Sequence, residues 1–192
     1  VRPPADDPRA VGDAVRRTAA TQGRPTGHDM TIAESFLPEF DSETASTRKV
    51  LARIPTDRLA WKPHAKSRSL GELTTHLTEL ARWGIRVEKE SFQVGSEKAP
   101  EMKTAADFLA RFDENVKDSR ATILRLNDAA MDQEFRVLKP DGQLFFKATR
   151  RGIIRFVLFN HAIHHRGQLT VYLRQNDVPL PPLYGPTADE SI

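Results

Sequence analysis

The chain has 192 residues, of which 39% are hydrophobic and 29% are charged, with a formal net charge of +3 at pH 7. This length and composition fit one domain with one hydrophobic core, and the interleaved charges, which form no basic cluster, argue against nucleic-acid binding. Because the sequence contains no cysteine, it excludes disulfides, a catalytic cysteine and thiolate metal ligands.

The first 29 residues differ in composition from the rest of the chain. They are rich in Pro, Arg, Ala, Gly and Asp and contain almost no bulky apolar side chains. Such a stretch cannot bury enough surface to offset the entropy lost on ordering. We therefore predict a disordered extension over residues 1–29 and a folded domain over residues 30–192. Met30 directly precedes a capping-box sequence that begins at Thr31, and we expect it to be the natural start.

The first predicted helix runs from about Thr31 to Arg53. Its apolar residues recur at helical spacing, and Pro55 ends it because proline cannot donate a backbone hydrogen bond. The following stretch, residues 55–68, contains two prolines and few periodic apolar residues. We predict a loop there, anchored against the helices by Trp61.

The second predicted helix begins at a capping box formed by Ser69 and Glu72. It extends from about Leu70 to Ser91, and apolar residues at i, i+3, i+4 and i+7 define its buried face. That face comprises Leu73, His76, Leu77, Leu80, Gly84 and Val87.

Two more helices are predicted, separated by a different kind of segment. The third runs over residues 104–126 and the fourth over residues 149–175. Between them, short apolar runs at 135–138 and 144–146 flank Asp141-Gly142, a sequence typical of a hairpin turn. The pattern predicts an all-α four-helix bundle with a small hairpin or irregular excursion between helices three and four. Periodicity leaves the order and direction of the helices open.

Three histidines indicate a metal site. His161 and His165 are four residues apart in the fourth helix, so their side chains project from the same face. His76 lies on the apolar face of the second helix. Burying three imidazoles without a shared ligand is costly, since each ring has two nitrogens to satisfy. We predict that His76, His161 and His165 bind one divalent metal, although each histidine taken alone is also compatible with an ordinary core position.

Five other side chains are candidates for contact with the ligands or the substrate. His164 competes with His165 as a partner of His161 but lies on the flank of the helix. Gln168 is placed to hydrogen-bond a ligand, and Arg166 either binds an anionic substrate group or is a surface charge. Glu72 and Glu79 lie one turn before and after His76, where each orients it, acts as a base or is a solvent-exposed helix charge.

These residues resemble the DinB-like superfamily. The resemblance rests on Leu70-Gly71-Glu72-Leu73 leading to His76, on the stretch His161 to Leu169, on Val178-Pro179-Leu180-Pro181 with Tyr184-Gly185-Pro186, and on the loop Trp61 to Ser67. It covers about Met30 to the end of the chain. It implies an up-down-down-up four-helix bundle with a divalent metal held by His76, His161 and His165. It also implies a homodimer. The identity of the metal stays open, since an all-histidine site suits zinc, nickel, copper or iron.

The resemblance defines a site better than a reaction. Family members include transferases and isomerases that use low-molecular-weight thiols, and damage-inducible proteins of unknown activity. We therefore expect a metal-dependent transferase acting on a small molecule with such a thiol as cofactor. One alternative is a hydrolase with metal-bound water as nucleophile. Another is a non-catalytic metal-binding stress-response protein.

No apolar run in the sequence approaches the ~20 residues needed to span a bilayer. The N-terminus also lacks the basic-then-apolar layout of a secretory signal. We expect a soluble, cytoplasmic protein with no membrane or nucleic-acid partner.

Overall fold

The computed structural model describes residues 29–191. Most of this range is helical, and three short strands form a sheet beside the helices. The helices are α1 (Ile32–Leu51), α2 (Leu70–Leu80), α3 (Trp83–Arg86), α4 (Ala105–Arg125), α5 (Asp128–Met131), α6 (Arg150–Ile153) and α7 (Ala162–Gln175), with a 3₁₀ turn at Thr56–Arg58 and a π-helix at Ile154–His161. The strands are β1 (Ser91–Gln93), β2 (Glu134–Leu138) and β3 (Leu144–Thr149).

Capping boxes mark the start of α1, α2 and α4. In each, a Ser or Thr hydroxyl accepts a hydrogen bond from the backbone N–H three residues on, and the carboxylate at that residue accepts one in return. The pairs are Thr31 with Glu34, Ser69 with Glu72, and Thr104 with Asp107. The two boxes predicted at residues 31 and 69 are thereby confirmed.

The four long helical segments pack in a ring. Helix α1 contacts α4 and α7, and α2 contacts the same two helices from the other side. Phenylalanines from α1 and the π-helix meet in the core, where the ring centroid of Phe159 lies 5.8 Å from that of Phe36 and 6.4 Å from that of Phe40. In the predicted loop, Trp61 packs edge-on against Tyr172 of α7 with 5.5 Å between ring centroids, in agreement with its predicted anchoring role.

The second helix is shorter than predicted. It ends at Leu80 rather than near Ser91, and the chain then forms the four-residue helix α3 and strand β1. Gly84 and Val87 are nevertheless buried. Apolar periodicity therefore identified buried positions correctly but extended the helix past its end.

The sheet corrects the prediction of a purely all-α fold. Strands β2 and β3 pair antiparallel, so the predicted hairpin is confirmed, and Gly142 in its turn adopts a φ of +84° that other residues rarely take. Strand β1 pairs parallel with β2, with Phe92 opposite Val137. This three-residue strand was not predicted, because it is too short to show an alternating pattern.

The fourth predicted helix is continuous in sequence but not uniform. Residues 150–175 begin as α6, widen into the π-helix and return to α-helix in α7. The Thr149 hydroxyl caps the start by accepting from the N–H of Gly152. His161 lies at the boundary where the π-helix gives way to α7.

The N-terminal extension and the absence of a membrane span were also predicted from the sequence. The predicted disordered extension lies outside the described residues except for Asp29, and it stays a prediction. Within residues 29–191, every helix is too short or too polar to cross a lipid bilayer.

Gly84 offers a test of the packing between α3 and α4. A Cβ at this position would lie 2.5 Å from the Cβ of Ser119, so we expect Gly84→Ala to lower the free energy of unfolding by about 1–3 kcal/mol. Gly167 in α7 is the matched control, since a Cβ there meets nothing within 4 Å. Gly167→Ala should instead stabilise the protein by about 0.5–1 kcal/mol through helix propensity. Urea unfolding of both variants checks this, and equal effects of the two substitutions would contradict the close approach.

Candidate metal centre

Three histidines from two helical segments meet at one point. His76 comes from α2, His161 from the end of the π-helix and His165 from the first turns of α7. The Nε2 atom of His161 lies 2.8 Å from Nε2 of His165 and 3.5 Å from Nε2 of His76. One nitrogen from each ring falls within 4.8 Å of the other two. His161 and His165 lie 85 and 89 residues after His76 in the chain. The packing of α2 against α7 therefore brings the three rings together.

The half-buried position of the rings keeps them uncharged. The pKa of His76 is lowered to about 3 and that of His161 to about 4, mainly by burial and in smaller part by the charge of Arg68 and the neighbouring histidines. The pKa of His165 is also lowered, again mainly by burial. Neutral imidazoles keep the nitrogen lone pair that a metal requires.

Gln168 fixes the orientation of one ring. Its Oε1 lies 2.7 Å from Nδ1 of His165 and accepts a hydrogen bond from it. With the proton on Nδ1, the lone pair of His165 lies on Nε2, which faces His161 and His76. A hydrogen bond to the ring nitrogen that does not bind the metal is the usual support of a metal-ligating histidine. This hydrogen bond agrees with the prediction that Gln168 contacts a candidate metal-ligating histidine.

The donor set fits a divalent transition metal. Two imidazole nitrogens each about 2.0–2.1 Å from a tetrahedral Zn²⁺ lie roughly 3.3 Å apart. The 3.5 Å between His76 and His161 is slightly longer than this, and the 2.8 Å between His161 and His165 is shorter. Three neutral nitrogen donors without thiolate or carboxylate suit zinc, nickel or iron. The three residues predicted from sequence are the three that the structure brings together.

The other predicted side chains lie around or away from this point. His164 is exposed and stacks edge-on against His165 with 5.0 Å between ring centroids. Glu72 accepts from the N–H of Ser69 in the capping box, which lowers its pKa. Glu79 pairs with Arg111 at 2.7 Å. Both carboxylates therefore have partners other than the histidines.

Arg166 lies in the core rather than at the histidines. It is 1% exposed and pairs with Glu43 of α1 at 2.6 Å. It also donates to the hydroxyls of Thr47 and Tyr184, and the Tyr184 hydroxyl donates to Glu43. These contacts tie the C-terminal segment to α1, and they argue against the predicted role of Arg166 in binding a substrate anion.

Two clefts meet at His76. One is polar, has a volume of about 730 Å³ and contains the charged side chains of Glu79, Arg86 and Glu97. The other has a volume of about 710 Å³ and is mostly apolar, and all three histidines line it. Arg68 lines both clefts.

Sequence reasoning missed Arg68 and the aromatic wall of the apolar cleft. Arg68 directly precedes Ser69, the capping residue of the helix that carries His76. This position was the sequence feature that could have indicated a cation near the histidines. The wall residues Phe145 and Phe156 lie in the predicted hairpin and in the predicted fourth helix, and neither was singled out. Their clustering depends on how the hairpin folds back on the π-helix, which periodicity does not reveal.

Two proteins of Bacillus subtilis (strain 168) are similar to this chain in sequence. The uncharacterized protein YrdA is 28% identical over 159 residues, which cover 82% of this chain and 90% of YrdA. The uncharacterized protein YjoA is 25% identical over 147 residues, which cover 76% of this chain and 92% of YjoA. The aligned regions contain most of each protein.

Two crystal structures share the fold. That of the DinB-like protein YjoA from Bacillus subtilis matches with a TM-score of 0.62 at 22% identity, covering 82% of this chain and 99% of that chain. That of a DinB-like protein from Bacillus cereus ATCC 10987 also gives a TM-score of 0.62 at 22% identity, covering 82% of this chain and 100% of that chain. The profile of the DinB family matches residues 28–191, most of the sequence. The chain therefore belongs to the DinB family.

Proposed function

We propose that this protein is a metal-dependent transferase that uses a low-molecular-weight thiol. The observation that carries the proposal is the convergence of His76, His161 and His165, which line one apolar cleft together. Membership of the DinB family is compatible with metal binding at these residues. Three protein ligands leave further coordination positions of a divalent metal available to a small molecule.

A divalent metal at this site would stabilise the thiolate form of a bound thiol at neutral pH. In the proposed reaction the thiol sulfur forms a bond to an electrophilic carbon of the substrate. The leaving group departs with the bonding electron pair, and the thiol proton passes to solvent. The chain itself contains no cysteine, so the nucleophilic sulfur comes from outside the protein.

The surroundings of the site favour transfer over hydrolysis. A carboxylate base beside the nucleophilic water would support a hydrolase of this kind. The two predicted carboxylates have other partners, Glu72 in the α2 cap and Glu79 with Arg111. The cleft wall opposite the histidines is apolar and disfavours ordered water.

Two further features belong to the proposal through the resemblance to the DinB-like superfamily. They are the up-down-down-up direction of the four long helices and assembly as a homodimer. A cytoplasmic location is also part of the proposal. The ring of contacts among α1, α2, α4 and α7 is compatible with a four-helix bundle.

Metal uptake tests the centre itself. We expect the purified protein to take up one equivalent of Zn²⁺ or Ni²⁺, and we expect His76→Ala and His165→Ala to lose this uptake because each removes one of three ligands. Elemental analysis after dialysis against the metal provides the measurement. His164→Ala is the matched control, since His164 is the exposed neighbour of His165, and it should retain uptake. Wild-type protein that binds no divalent metal under any loading condition would refute the proposal.

A thiol-dependence assay separates the reaction classes. Metal-loaded protein is incubated with 1-chloro-2,4-dinitrobenzene with and without free cysteine, and in parallel with 4-nitrophenyl acetate. The proposal predicts thiol-dependent consumption of the chloroarene above the uncatalysed rate, and loss of that excess in His76→Ala. Ester hydrolysis without thiol would favour the hydrolase, and no reaction in either assay would favour a non-catalytic metal-binding protein.

The lowered histidine pKa values predict how the metal-free protein responds to acid. Unfolding returns His76 and His161 to a pKa near 6.5 from about 3 and about 4, so the unfolded state binds more protons between these values. The stability that comes from the uncharged rings is present in full above pH 6.5 and is lost as the pH falls toward 3. We expect the unfolding free energy in EDTA to fall over this range, and to fall less steeply in His76→Gln. Urea titrations at several pH values measure both slopes, and equal slopes would contradict the assignment.

A further inference from the structure

The apolar cleft has the size and lining of a small-molecule site. Its volume of about 710 Å³ lies within the range of about 300–1,000 Å³ typical of ligand pockets. Aromatic and aliphatic side chains from α2, α3, the sheet and the π-helix form its wall. They include Leu80, Trp83, Val137, Phe145, Phe146 and Phe156.

The outer part of this wall carries two unusually exposed aromatic rings. Phe145 and Phe156 are each 61% exposed. Phe146 lies between them, with its ring centroid 5.5 Å from that of Phe145 and 6.0 Å from that of Phe156. Binding of an apolar ligand would remove these solvent-facing rings from water, which is energetically favourable.

Arg68 is the cation at the histidine end of the cleft. Its side chain is exposed and lines the cleft together with His76, His161 and His165. Within residues 29–191, no carboxylate lies at ion-pair distance from its guanidinium, which also donates no hydrogen bond there. A guanidinium with five free donors binds carboxylates and sulfonates through charge-assisted hydrogen bonds.

The carboxylates near the site do not face this cleft. Among the described residues that line the apolar cleft none is acidic, so the formal charge of its wall at neutral pH is that of Arg68. The acidic side chains lie in the polar cleft, and each has a cationic partner. The pairs are Glu72 with Lys62, Glu79 with Arg111, Glu97 with Arg86, and Glu101 with Lys103.

We propose that the substrate of this site is an amphipathic organic anion, with an apolar body against Phe145, Phe146 and Phe156 and an anionic head on Arg68. This inference rests on the proposed function in taking the cleft beside the three histidines as the substrate side of the site. It adds the class of molecule that binds there. Arg68 acts as a specificity-determining residue that selects the charged end of the substrate.

Two fluorescent probes test the two halves of this assignment. 8-Anilinonaphthalene-1-sulfonate has an aromatic body and a sulfonate, and N-phenyl-1-naphthylamine has the same body without the charge. Titrations use the full chain in EDTA, so that binding is measured without metal. We expect both probes to bind at one site, the sulfonate more tightly than the uncharged probe.

Matched variants separate charge from shape. Arg68→Gln should weaken sulfonate binding about fivefold, the effect of a solvent-exposed ion pair, and leave the uncharged probe unchanged. Lys66→Gln removes the same charge two residues away, from a side chain that lines only the polar cleft, and should affect neither probe. Phe145→Ser and Phe156→Ser should weaken both probes. Val171→Ser replaces an apolar side chain of α7 that is 56% exposed and does not line the cleft. It should change the binding of neither probe.

Several results would overturn the inference. Binding unchanged in both phenylalanine variants would place the apolar body elsewhere, and equal weakening of both probes in Arg68→Gln would show that Arg68 contributes shape rather than charge. Sulfonate binding that requires added Zn²⁺ would place the head on the metal. Thermal unfolding of each variant verifies that it folds. A protein that takes up no metal but shows the expected probe pattern would refute the proposed function and leave this inference standing.

Discussion

The candidate site depends on the packing of α2 against α7. These helices bring His76 to within 4.6 Å, centroid to centroid, of His165, from opposite ends of the domain sequence. Buried polar rings are costly unless their nitrogens find partners. Here the rings serve as partners for one another, and Gln168 supplies the remaining acceptor for His165. The same contact brings the three histidines together where the polar and the apolar cleft both reach His76, so the geometry of one helix pair determines the candidate metal site.

Neighbouring residues of α7 serve opposite sides of the helix. His165 faces the metal centre, while Arg166 is buried against α1 through Glu43 and Thr47. A buried charge left without its partner is strongly unfavourable, so the Arg166–Glu43 pair holds α7 in one rotation about its axis. The hydroxyl of Tyr184 joins this pair, and the C-terminal segment thereby supports the orientation of the histidines from the far side of the helix.

Much of the helical framework and the convergence of the three histidines were predictable from sequence. Caps at Thr31, Ser69 and Thr104 are local signals, and the four-residue spacing of His161 and His165 is a property of the helix itself. The break after Leu80 was not predictable, because Gly84 and Val87 continue the apolar pattern while the backbone turns. The role of Arg166 was misjudged for a similar reason, since a charged residue in sequence gives no sign of a buried partner 123 positions away.

Arg68 and the phenylalanine wall show a second limit of sequence reasoning. Each belongs to an element whose type was predicted correctly, a loop, a hairpin and a helix. Their common surface exists only after the hairpin folds back beside the π-helix, and long-range placement of this kind leaves no periodic signal in a single sequence.

The π-helix has a consequence for how this family can diverge. A π-helix closes its hydrogen bonds over five residues instead of four, so a stretch of this kind holds one residue more than the α-helix it replaces. At Ile154–His161 the last helix can therefore gain or lose a residue by changing its winding. His161 is the last residue of this stretch and His165 follows it in α7, so a length change nearer β3 leaves the spacing from His161 to His165 intact. An insertion or deletion between the hairpin and His161 can thus leave the turn from His161 to His165 unchanged.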